Sequence, residues 1–351
     1  MSNIKLNRSI AYLKECLSTF SAGICLIVTS EGMLKRDFFN KIIENIPIIN
    51  KKVVTIGANP EIEIVQSLIK DNQIFSISVV IAIGGGSVLD TAKTMSVFLS
   101  ASNRSFNFKK VLRENQYFFP ERLPLICIPT TSGTGAEVTP FATIWDHKYC
   151  VKRSLSSEAL VADFVILDPL MTCSASRRLT KICALDTCSH ALETLWNKHA
   201  TIESIRYSEK ALDLFLRSMP ILEKDLLNMA ARADMQLASY YAGRAIAISR
   251  TAIAHSISYP LTLHYSVPHG IACSFSLVKI SNVITKENLW PKSVNINLIK
   301  DVVLFLKKME IESEIEIYCT KEDRIKLVDE MFTNGRSDNF LLENYKLEEF
   351  L

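Results

Sequence analysis

The sequence predicts an N-terminal α/β domain followed by an all-helical C-terminal domain. The chain has 351 residues, of which 48% are hydrophobic and 22% charged, which is enough for two separately packed cores. Up to about residue 170, short β-branched runs alternate with amphipathic segments, a pattern typical of a mostly parallel sheet covered on both faces. Beyond Asp168 and Pro169, long helical patterns replace the strands. We therefore expect domains at residues 1–172 and 173–351, with the cleft between them as the default site.

The individual elements follow from the spacing of apolar residues. Continuous apolar runs predict buried strands at residues 24–29, 53–57, 79–84, 125–129 and 164–168. Apolar residues at helical spacing predict helices that include residues 61–69, 191–196, 204–216, 226–242, 298–308 and 323–332.

Charge and cysteine usage exclude several classes of protein. The 40 Lys and Arg residues nearly balance the 37 Asp and Glu residues, and the two kinds are interspersed, so no basic arm for nucleic acid is expected. No apolar run reaches the roughly 18–20 residues of a membrane-spanning helix, and residues 22–28 lack the features of a signal peptide. Nine cysteines without a CxxC pair indicate reduced, core-filling thiols. We expect a cytoplasmic protein with small-molecule chemistry and with neither nucleic-acid nor membrane partners.

The first of two glycine-rich loops joins a predicted strand to a predicted helix. Gly84, Gly85 and Gly86 end the apolar run, and Ser87 and Asp90 follow in the helix. Glycines let the backbone approach a ligand closely, and the N–H groups and dipole of a helix N-terminus attract phosphate. The loop therefore predicts a site for a pyrophosphate-bearing nucleotide, although its spacing matches neither GxGxxG nor GxxxxGK[ST]. The alternative is a tight turn in which Ser87 and Asp90 cap their own helix.

The second loop follows the apolar run at residues 125–129. Its Thr130, Thr131 and Thr134 lie among serine and glycine residues, which offer hydroxyl and backbone donors to sugar and phosphate oxygens. Such a composition also occurs in ordinary loops. Two loops suited to anions in one domain support each other as cofactor-binding candidates.

One carboxylate and three of the six histidines form a candidate metal site. Asp186 and His190 are four residues apart on a predicted helix, so both side chains lie on one face, one turn apart. His255 and His269, fourteen residues apart, are the next candidates, and an Asp/His₃ set suits Fe(II) or Zn(II) with positions left open. The alternative is that these are ordinary partly buried histidines or a surface pair on a helix. His264 is retained only as a candidate near the site.

Four motifs together resemble one family, the iron-dependent or group III alcohol dehydrogenases, over nearly the whole chain. The motifs are GGGSVLDTAK, PTTSGTGAE, LDTCSHALE and PHG, and they occur in the family's order and at about its spacing. The resemblance implies a dehydroquinate synthase-like fold, with an N-terminal domain that binds NAD(P)H and a helical C-terminal domain that holds one divalent metal, with Fe(II) favoured over Zn(II). It also implies a small aldehyde or alcohol substrate and a homodimer.

The resemblance assigns roles to individual residues. The family's metal ligands fall on Asp186, His190, His255 and His269, and its cofactor residues fall on Gly84, Gly85, Gly86, Ser87, Asp90, Thr130, Thr131 and Thr134. Lys152 matches the family lysine that reaches the cofactor ribose; the alternative is a surface basic residue on an edge strand.

The chain departs from the family pattern at two positions. Tyr259 stands where many members have a further histidine near the substrate, and its hydroxyl can relay a proton. Ser30 stands where many NAD-preferring members have an aspartate, and Lys35 and Arg36 follow it. Without that carboxylate nothing repels a 2′-phosphate, so we expect that NADPH is accepted.

The local sequence at residues 192–197, 249–252 and 258–262 is most similar to that of the phosphonoacetaldehyde reductases. This subgroup reduces phosphonoacetaldehyde to 2-hydroxyethylphosphonate. Arg250 and Arg153 are the candidates for binding the anionic end of the substrate, and the alternative for each is contact with a neighbouring carboxylate or with solvent. Other functions remain open on the same fold: a dehydrogenase of uncharged small alcohols or polyols, a dehydroquinate-type lyase, or a non-catalytic protein that binds metal or nucleotide.

Overall fold

The structure is a computed structural model and describes residues 4–20, 23–44, 46, 50–114, 119–149, 151–332, 335–343 and 345–351. The chain divides into two compact units. The first contains Met1–Thr131 and Ala136–Ser174, and the second contains Ser132–Gly135 and Ala175–Leu351.

The first unit is built on a six-stranded parallel sheet. The strand order is β1-β8-β5-β4-β2-β3, and a separate antiparallel hairpin joins β6 to β7. The central strands are buried because their residues are apolar on both faces. The strands are β1 (Lys5–Asn7), β2 (Ile24–Thr29), β3 (Lys51–Thr55), β4 (Ile77–Gly84), β5 (Leu125–Pro129), β6 (Phe141–Asp146), β7 (Val151–Ser156) and β8 (Phe164–Ile166).

Helices accompany these strands in alternation, as the sequence pattern predicts. They are α1 (Leu13–Ser18), α2 (Glu31–Leu34), α3 (Asp37–Glu44), α4 (Ile62–Asn72), α5 (Gly86–Phe98) and α6 (Phe108–Glu114). The helix α5 follows β4 after a single residue, so its N-terminus lies at the carboxyl end of the sheet.

Among the described residues of the second unit, the regular elements are all helices, and one isolated β-bridge joins Asn197 to Phe340. Its helices are α7 (Arg177–Leu195), α8 (Ile202–Leu222), α9 (Met229–Ser249), α10 (Ile253–Tyr265), α11 (His269–Ala272), α12 (Leu277–Lys286), α13 (Ile296–Lys308), α14 (Ile311–Ile315), α15 (Lys321–Lys326) and α16 (Val328–Met331). The helix α7 is buried from Ala184 to Leu195, so polar residues on that stretch lie inside the unit.

Some elements differ from the sequence predictions. The strand β3 begins two residues earlier than expected, and β1 and the β6–β7 hairpin were not predicted. The helix expected at 323–332 is two helices, because the backbone leaves the helical conformation at Leu327.

The described residues bear on the predictions about membrane-spanning helices and cysteines. Among them, no helix combines the length and the apolar character that crossing a bilayer requires. Eight cysteines are free thiols, and six of these are buried. Cys150 and residue 22, the start of the apolar stretch considered as a leader, lie outside the described residues.

Candidate metal and cofactor sites

The helix α7 presents Asp186 and His190 on one face. Ser176 caps this helix by accepting a hydrogen bond from the backbone N–H of Leu179, so the helical register is set well before the two side chains. His190 Nε2 lies 3.6 Å from Asp186 Oδ1, and both side chains are almost fully buried. The four-residue spacing therefore brings the pair together as the sequence predicts.

Two further histidines reach the same carboxylate oxygen from α10 and α11. His255 Nε2 lies 3.5 Å and His269 Nε2 lies 3.8 Å from Asp186 Oδ1. Gly270 makes the approach of α11 possible, since a Cβ atom there would lie 1.9 Å from the carbonyl oxygen of Ile182 on α7. The structure thus brings all four predicted ligands into one cluster.

The cluster passes a test of whether a divalent metal fits it. Metal–ligand bonds of about 2.1 Å place two ligand atoms of a tetrahedral site roughly 3.4 Å apart. The distances from Asp186 Oδ1 to the three histidine Nε2 atoms, 3.5 to 3.8 Å, are close to this value. His255 Nε2 is buried and has no hydrogen-bond partner among the described residues, although a buried polar nitrogen normally has one. A metal ion would satisfy that nitrogen, so Asp186, His190, His255 and His269 could hold one.

Glu193, which the sequence reasoning passed over, fixes the orientation of His255. Its side chain is fully buried, and one carboxylate oxygen accepts hydrogen bonds from the backbone N–H groups of Ala252 and His255 at 3.1 and 3.0 Å. The other oxygen contacts His255 Nδ1. A proton on Nδ1 leaves the Nε2 lone pair facing the cluster, which is the tautomer that binds a metal.

Cys273 is a second residue that sequence reasoning placed elsewhere, among core-filling thiols. Its Sγ lies 3.6 Å from Asp186 Oδ1 and 3.7 Å from the carbonyl oxygen of Gly270. Ligand atoms of Asp186, His255, His269 and Cys273 all lie within 4.8 Å of one another. The thiol therefore borders the candidate metal site.

Mutual charge interactions shape the protonation of the cluster. Burial alone raises the pKa of Asp186, but the neighbouring imidazoles of His190, His255 and His269 together lower it far below its usual range. Burial lowers the pKa of His190. Burial also acts to lower the pKa of His255, but the carboxylates of Glu193 and Asp186 together outweigh it and raise the pKa to about 9.

Tyr259 borders the cluster one helical turn after His255. Its ring is nearly parallel to that of His269, with centroids 6.0 Å apart, and meets the His255 ring edge-on at 6.5 Å. The guanidinium carbon of Arg336 lies 4.7 Å from the Tyr259 ring centroid. Burial raises the pKa of Tyr259, so the phenol keeps its proton at neutral pH.

The first glycine-rich loop places a helix N-terminus at the end of β4. Gly85 is the N-cap of α5, without a side-chain cap, so the N–H groups of Gly86 and Ser87 have no intrahelical acceptors. A Cβ atom on Gly84 would lie 2.5 Å from Val88, which explains the glycine there. These features fit a phosphate group.

The alternative in which Ser87 and Asp90 cap their own helix does not match the structure. Ser87 Oγ instead accepts a hydrogen bond from the backbone N–H of Asn59 at 3.2 Å. Asp90 Oδ2 accepts one from the backbone N–H of Thr143, on β6, at 2.9 Å. Both side chains therefore tie the first glycine-rich loop to neighbouring segments of the first unit.

Lys152 lies on the hairpin beside the same helix. It pairs in register with Trp145, and its Nζ lies 5.6 Å from the Trp145 ring centroid. Desolvation raises the pKa of Asp90, and the charges of Lys93 and Lys152 act against this rise. The family role of Lys152 toward the ribose stays a prediction.

The residues of the second loop fall in both units. Thr130 and Thr131 belong to the first, where Thr130 donates its backbone N–H to the carbonyl oxygen of Gly84 at 3.0 Å. Thr131 Oγ1 would lie 3.2 Å from a Cβ atom on Gly85, so the two loops are in close contact. Thr134 clusters with the second unit, in which Thr187 Oγ1 donates to the carbonyl oxygen of Gly133 at 3.2 Å.

Ser30 caps α2 directly after β2. Its Oγ accepts a hydrogen bond from the backbone N–H of Met33 at 3.3 Å. Lys35 is exposed and Arg36 is partly exposed just beyond this short helix. The residue directly after β2 is therefore a serine in place of an aspartate, and Glu31 and the two cations follow it in sequence.

The three residues proposed for the substrate lie in different surroundings. Arg153 Nε donates to Asp146 Oδ2 at 2.8 Å, so its charge has a partner within the hairpin. His264 Nε2 lies 2.7 Å from Glu330 Oε2. Arg250 ends α9 with an exposed side chain and a positive φ of 64°. Their roles toward substrate stay predictions.

Comparison with known families decides the relationship. A model of the iron-containing alcohol dehydrogenases matches residues 4–169, and a model of the C-terminal part of the Fe-containing alcohol dehydrogenase family matches residues 180–346. The chain belongs to the iron-containing alcohol dehydrogenase family. The resemblance in the four motifs and the fold class are thereby confirmed.

Individual relatives are similar over part of their length. A phosphonoacetaldehyde reductase from Streptomyces viridochromogenes is 34% identical over 205 residues, which are 58% of this chain and 52% of that protein. A sulfoacetaldehyde reductase from Bilophila wadsworthia is 33% identical over 219 residues, 62% of this chain and 55% of that protein. The chain thus aligns with about half the length of these relatives. Among solved structures, the crystal structure of sulfoacetaldehyde reductase from Bifidobacterium kashiwanohense in complex with NAD+ superimposes on this chain with a TM-score of 0.87 at 22% identity. The match covers 100% of this chain and 96% of that one and shows the shared fold.

Proposed function

We propose that this iron-containing alcohol dehydrogenase reduces phosphonoacetaldehyde to 2-hydroxyethylphosphonate with NAD(P)H. The observation that carries the proposal is the convergence of three histidine Nε2 atoms on Asp186 Oδ1 within 3.8 Å. The likeness to a phosphonoacetaldehyde reductase supports the choice of substrate. A homodimer, as the family resemblance implies, and a cytoplasmic location, as the cysteine usage indicates, complete the proposal.

Two groups that the chain would bind supply the reactivity. Asp186, His190, His255 and His269 would hold one divalent metal, with Fe(II) favoured over Zn(II), and such an ion supplies Lewis-acid polarisation of a carbonyl oxygen. The loops after β4 and β5, with Ser30 and Lys152, would hold a nicotinamide cofactor, which supplies hydride.

The side chains of the protein then orient the groups and provide the proton. Glu193 holds His255 in one tautomer and one direction, so the cluster is preorganised before substrate binds. The Tyr259 hydroxyl is the protein group that we assign to proton donation, because the carbonyl oxygen needs one proton to become a hydroxyl. Its raised pKa keeps that proton available at neutral pH.

The test is NADPH consumption with phosphonoacetaldehyde and with propanal after anaerobic reconstitution with Fe(II). A chelator-treated sample serves as the control. We expect metal-dependent oxidation of NADPH that favours the phosphonate substrate. Metal-dependent turnover of propanal alone would keep the family chemistry and reject the phosphonate substrate. Absence of turnover with both aldehydes would favour a lyase or a non-catalytic role.

A further inference from the structure

Arg336 places a positive charge one aromatic ring away from the candidate metal ligands. Its guanidinium carbon lies 4.7 Å from the centroid of the Tyr259 ring. On that same ring, Tyr259 stacks with His269 at a centroid distance of 6.0 Å. The cation, the phenol and a metal-ligating imidazole therefore form one contiguous set of side chains.

The backbone around Arg336 is tied to the segment that carries the ligands. The Arg336 carbonyl oxygen accepts a hydrogen bond from the backbone N–H of Asn339 at 3.0 Å. Asn339 Nδ2 in turn donates to the carbonyl oxygen of Thr251 at 2.8 Å, just before α10 begins. Since α10 carries His255 and Tyr259, these bonds hold Arg336 in a defined position relative to the cluster.

The guanidinium of Arg336 also lacks an acidic partner within the described part of the chain. No carboxylate oxygen of those residues lies within 4.0 Å of it, whereas Arg153 and Arg122 are paired with Asp146 and Asp163 at 2.8 and 2.6 Å. A guanidinium stacked on an aromatic face keeps its planar fork of N–H donors free for an anion. That fork matches the oxygen geometry of a phosphonate or a sulfonate.

We propose that Arg336 binds the oxyanion group of the substrate and so determines specificity for charged aldehydes. The inference rests on the proposed function, which places the aldehyde oxygen at the Asp186 cluster. The substrate class that fits is a two-carbon aldehyde whose second carbon carries a phosphonate or a sulfonate, because only one methylene then separates the carbonyl from the anion. Arg336 is a better candidate for this role than Arg153, whose charge is paired.

The kinetic test compares wild type with Arg336→Gln, which removes the charge and keeps a polar side chain of similar length. Arg217→Gln is the matched control, since Arg217 is exposed on α8 and pairs only with Asp213 among the described residues. We expect KM for phosphonoacetaldehyde or sulfoacetaldehyde to rise about 10- to 100-fold in Arg336→Gln. Because propanal has no anionic group for Arg336 to bind, we expect its kcat/KM to fall by a much smaller factor in this variant than kcat/KM for the charged aldehydes. Comparable KM values for the charged aldehydes in the two proteins would overturn the inference, and the two aldehydes separately identify phosphonate or sulfonate as the preferred group.

A binding measurement separates this inference from the proposed function. Calorimetric titration of the metal-loaded protein with methylphosphonate and with methanesulfonate needs no turnover. We expect binding by wild type and by Arg217→Gln, weakened at least about tenfold in Arg336→Gln and partly restored in Arg336→Lys. Equal affinities in wild type and Arg336→Gln, or no binding by wild type, would overturn the role of Arg336. A wild type that binds the anions through Arg336 but reduces no charged aldehyde would reject only the proposed substrate.

Discussion

Glu193 offers a sharp test of how the candidate metal site is preorganised. The substitution Glu193→Gln keeps the size of the side chain and one carbonyl oxygen. In the native protein, one carboxylate oxygen accepts hydrogen bonds from the backbone N–H groups of Ala252 and His255 at 3.1 and 3.0 Å. We expect the amide oxygen of the glutamine to keep both bonds. The new amide NH₂ group then faces His255 Nδ1, where the carboxylate oxygen stands in the native protein.

The change acts on metal binding through the tautomer of His255. An amide NH₂ donates to Nδ1, so the imidazole proton moves to Nε2, and a protonated Nε2 cannot ligate a metal. Loss of such a carboxylate partner lowers metal affinity about 10- to 100-fold, which corresponds to about 1.4–2.7 kcal/mol. The larger change Glu193→Ala would also leave two buried N–H groups without acceptors, at a cost of roughly 1–3 kcal/mol each in folding free energy.

The assay is competition for Zn(II) or Co(II) between the protein and a chromophoric chelator, with thermal unfolding of the metal-free protein measured in parallel. Glu203→Gln is the matched control, because Glu203 is exposed in the first turn of α8 and bonds only to the hydroxyl of Tyr207 among the described residues. We expect weaker metal binding in Glu193→Gln and unchanged binding in Glu203→Gln. A metal dissociation constant for Glu193→Gln within about twofold of wild type would refute the tautomer argument.

Three other predictions follow from the first unit. Ser30→Asp places a carboxylate directly after β2 and should lower kcat/KM for NADPH relative to NADH about tenfold or more. Steady-state kinetics with both cofactors measures this ratio. An unchanged ratio would count against the assigned cofactor position. Burial raises the pKa of Glu137 from 4.5 to about 7, so the folded state favours the protonated acid, and the contribution of this group to stability falls as pH rises from 4.5 through 7. We expect denaturant unfolding of wild type to show a loss of about 3 kcal/mol over this pH range and expect Glu137→Gln to abolish it. Parallel pH profiles for both proteins would contradict this. Gly84→Ala places a Cβ atom 2.5 Å from Val88, so it should lower the free energy of unfolding by roughly 1–3 kcal/mol and weaken cofactor binding. Thermal unfolding and cofactor titration measure the two effects. Gly57→Ala is the control and should be nearly neutral in both, because the space around Gly57 is open.

Local patterns predicted the parts of the fold that local chemistry determines. The strands β2 and β5 have the predicted bounds because each is a continuous apolar run that the sheet buries on both faces. Asp186 and His190 could be paired from spacing alone, since helix geometry places residues four apart on one face. By contrast, β1 has three residues, of which only Leu6 is apolar, so no apolar periodicity predicts a strand there. It forms by pairing with β8.

The parts of the candidate site that sequence reasoning missed depend on contacts between distant segments. Glu193 stands 62 residues from His255 along the chain, and within α7 its sequence context is that of any helical glutamate. Cys273 lies 87 residues from Asp186, and its apolar surroundings favoured a core thiol. Arg336 follows a segment without clear periodicity. Burial of a charged residue, as in the 0% exposure of Glu193, is the signal that identifies such partners, and only the structure supplies it.

The buried thiols give the molecule internal reporters of its own opening. Burial raises the pKa of Cys127, in the central sheet of the first unit, to about 12, and it also raises that of Cys188 on α7 in the second unit. Because the thiolate is the reactive form, an alkylating reagent at neutral pH modifies these residues only when the surrounding structure opens. Pulsed labelling read by mass spectrometry at the two peptides therefore times the opening of each unit separately, with no engineered probe.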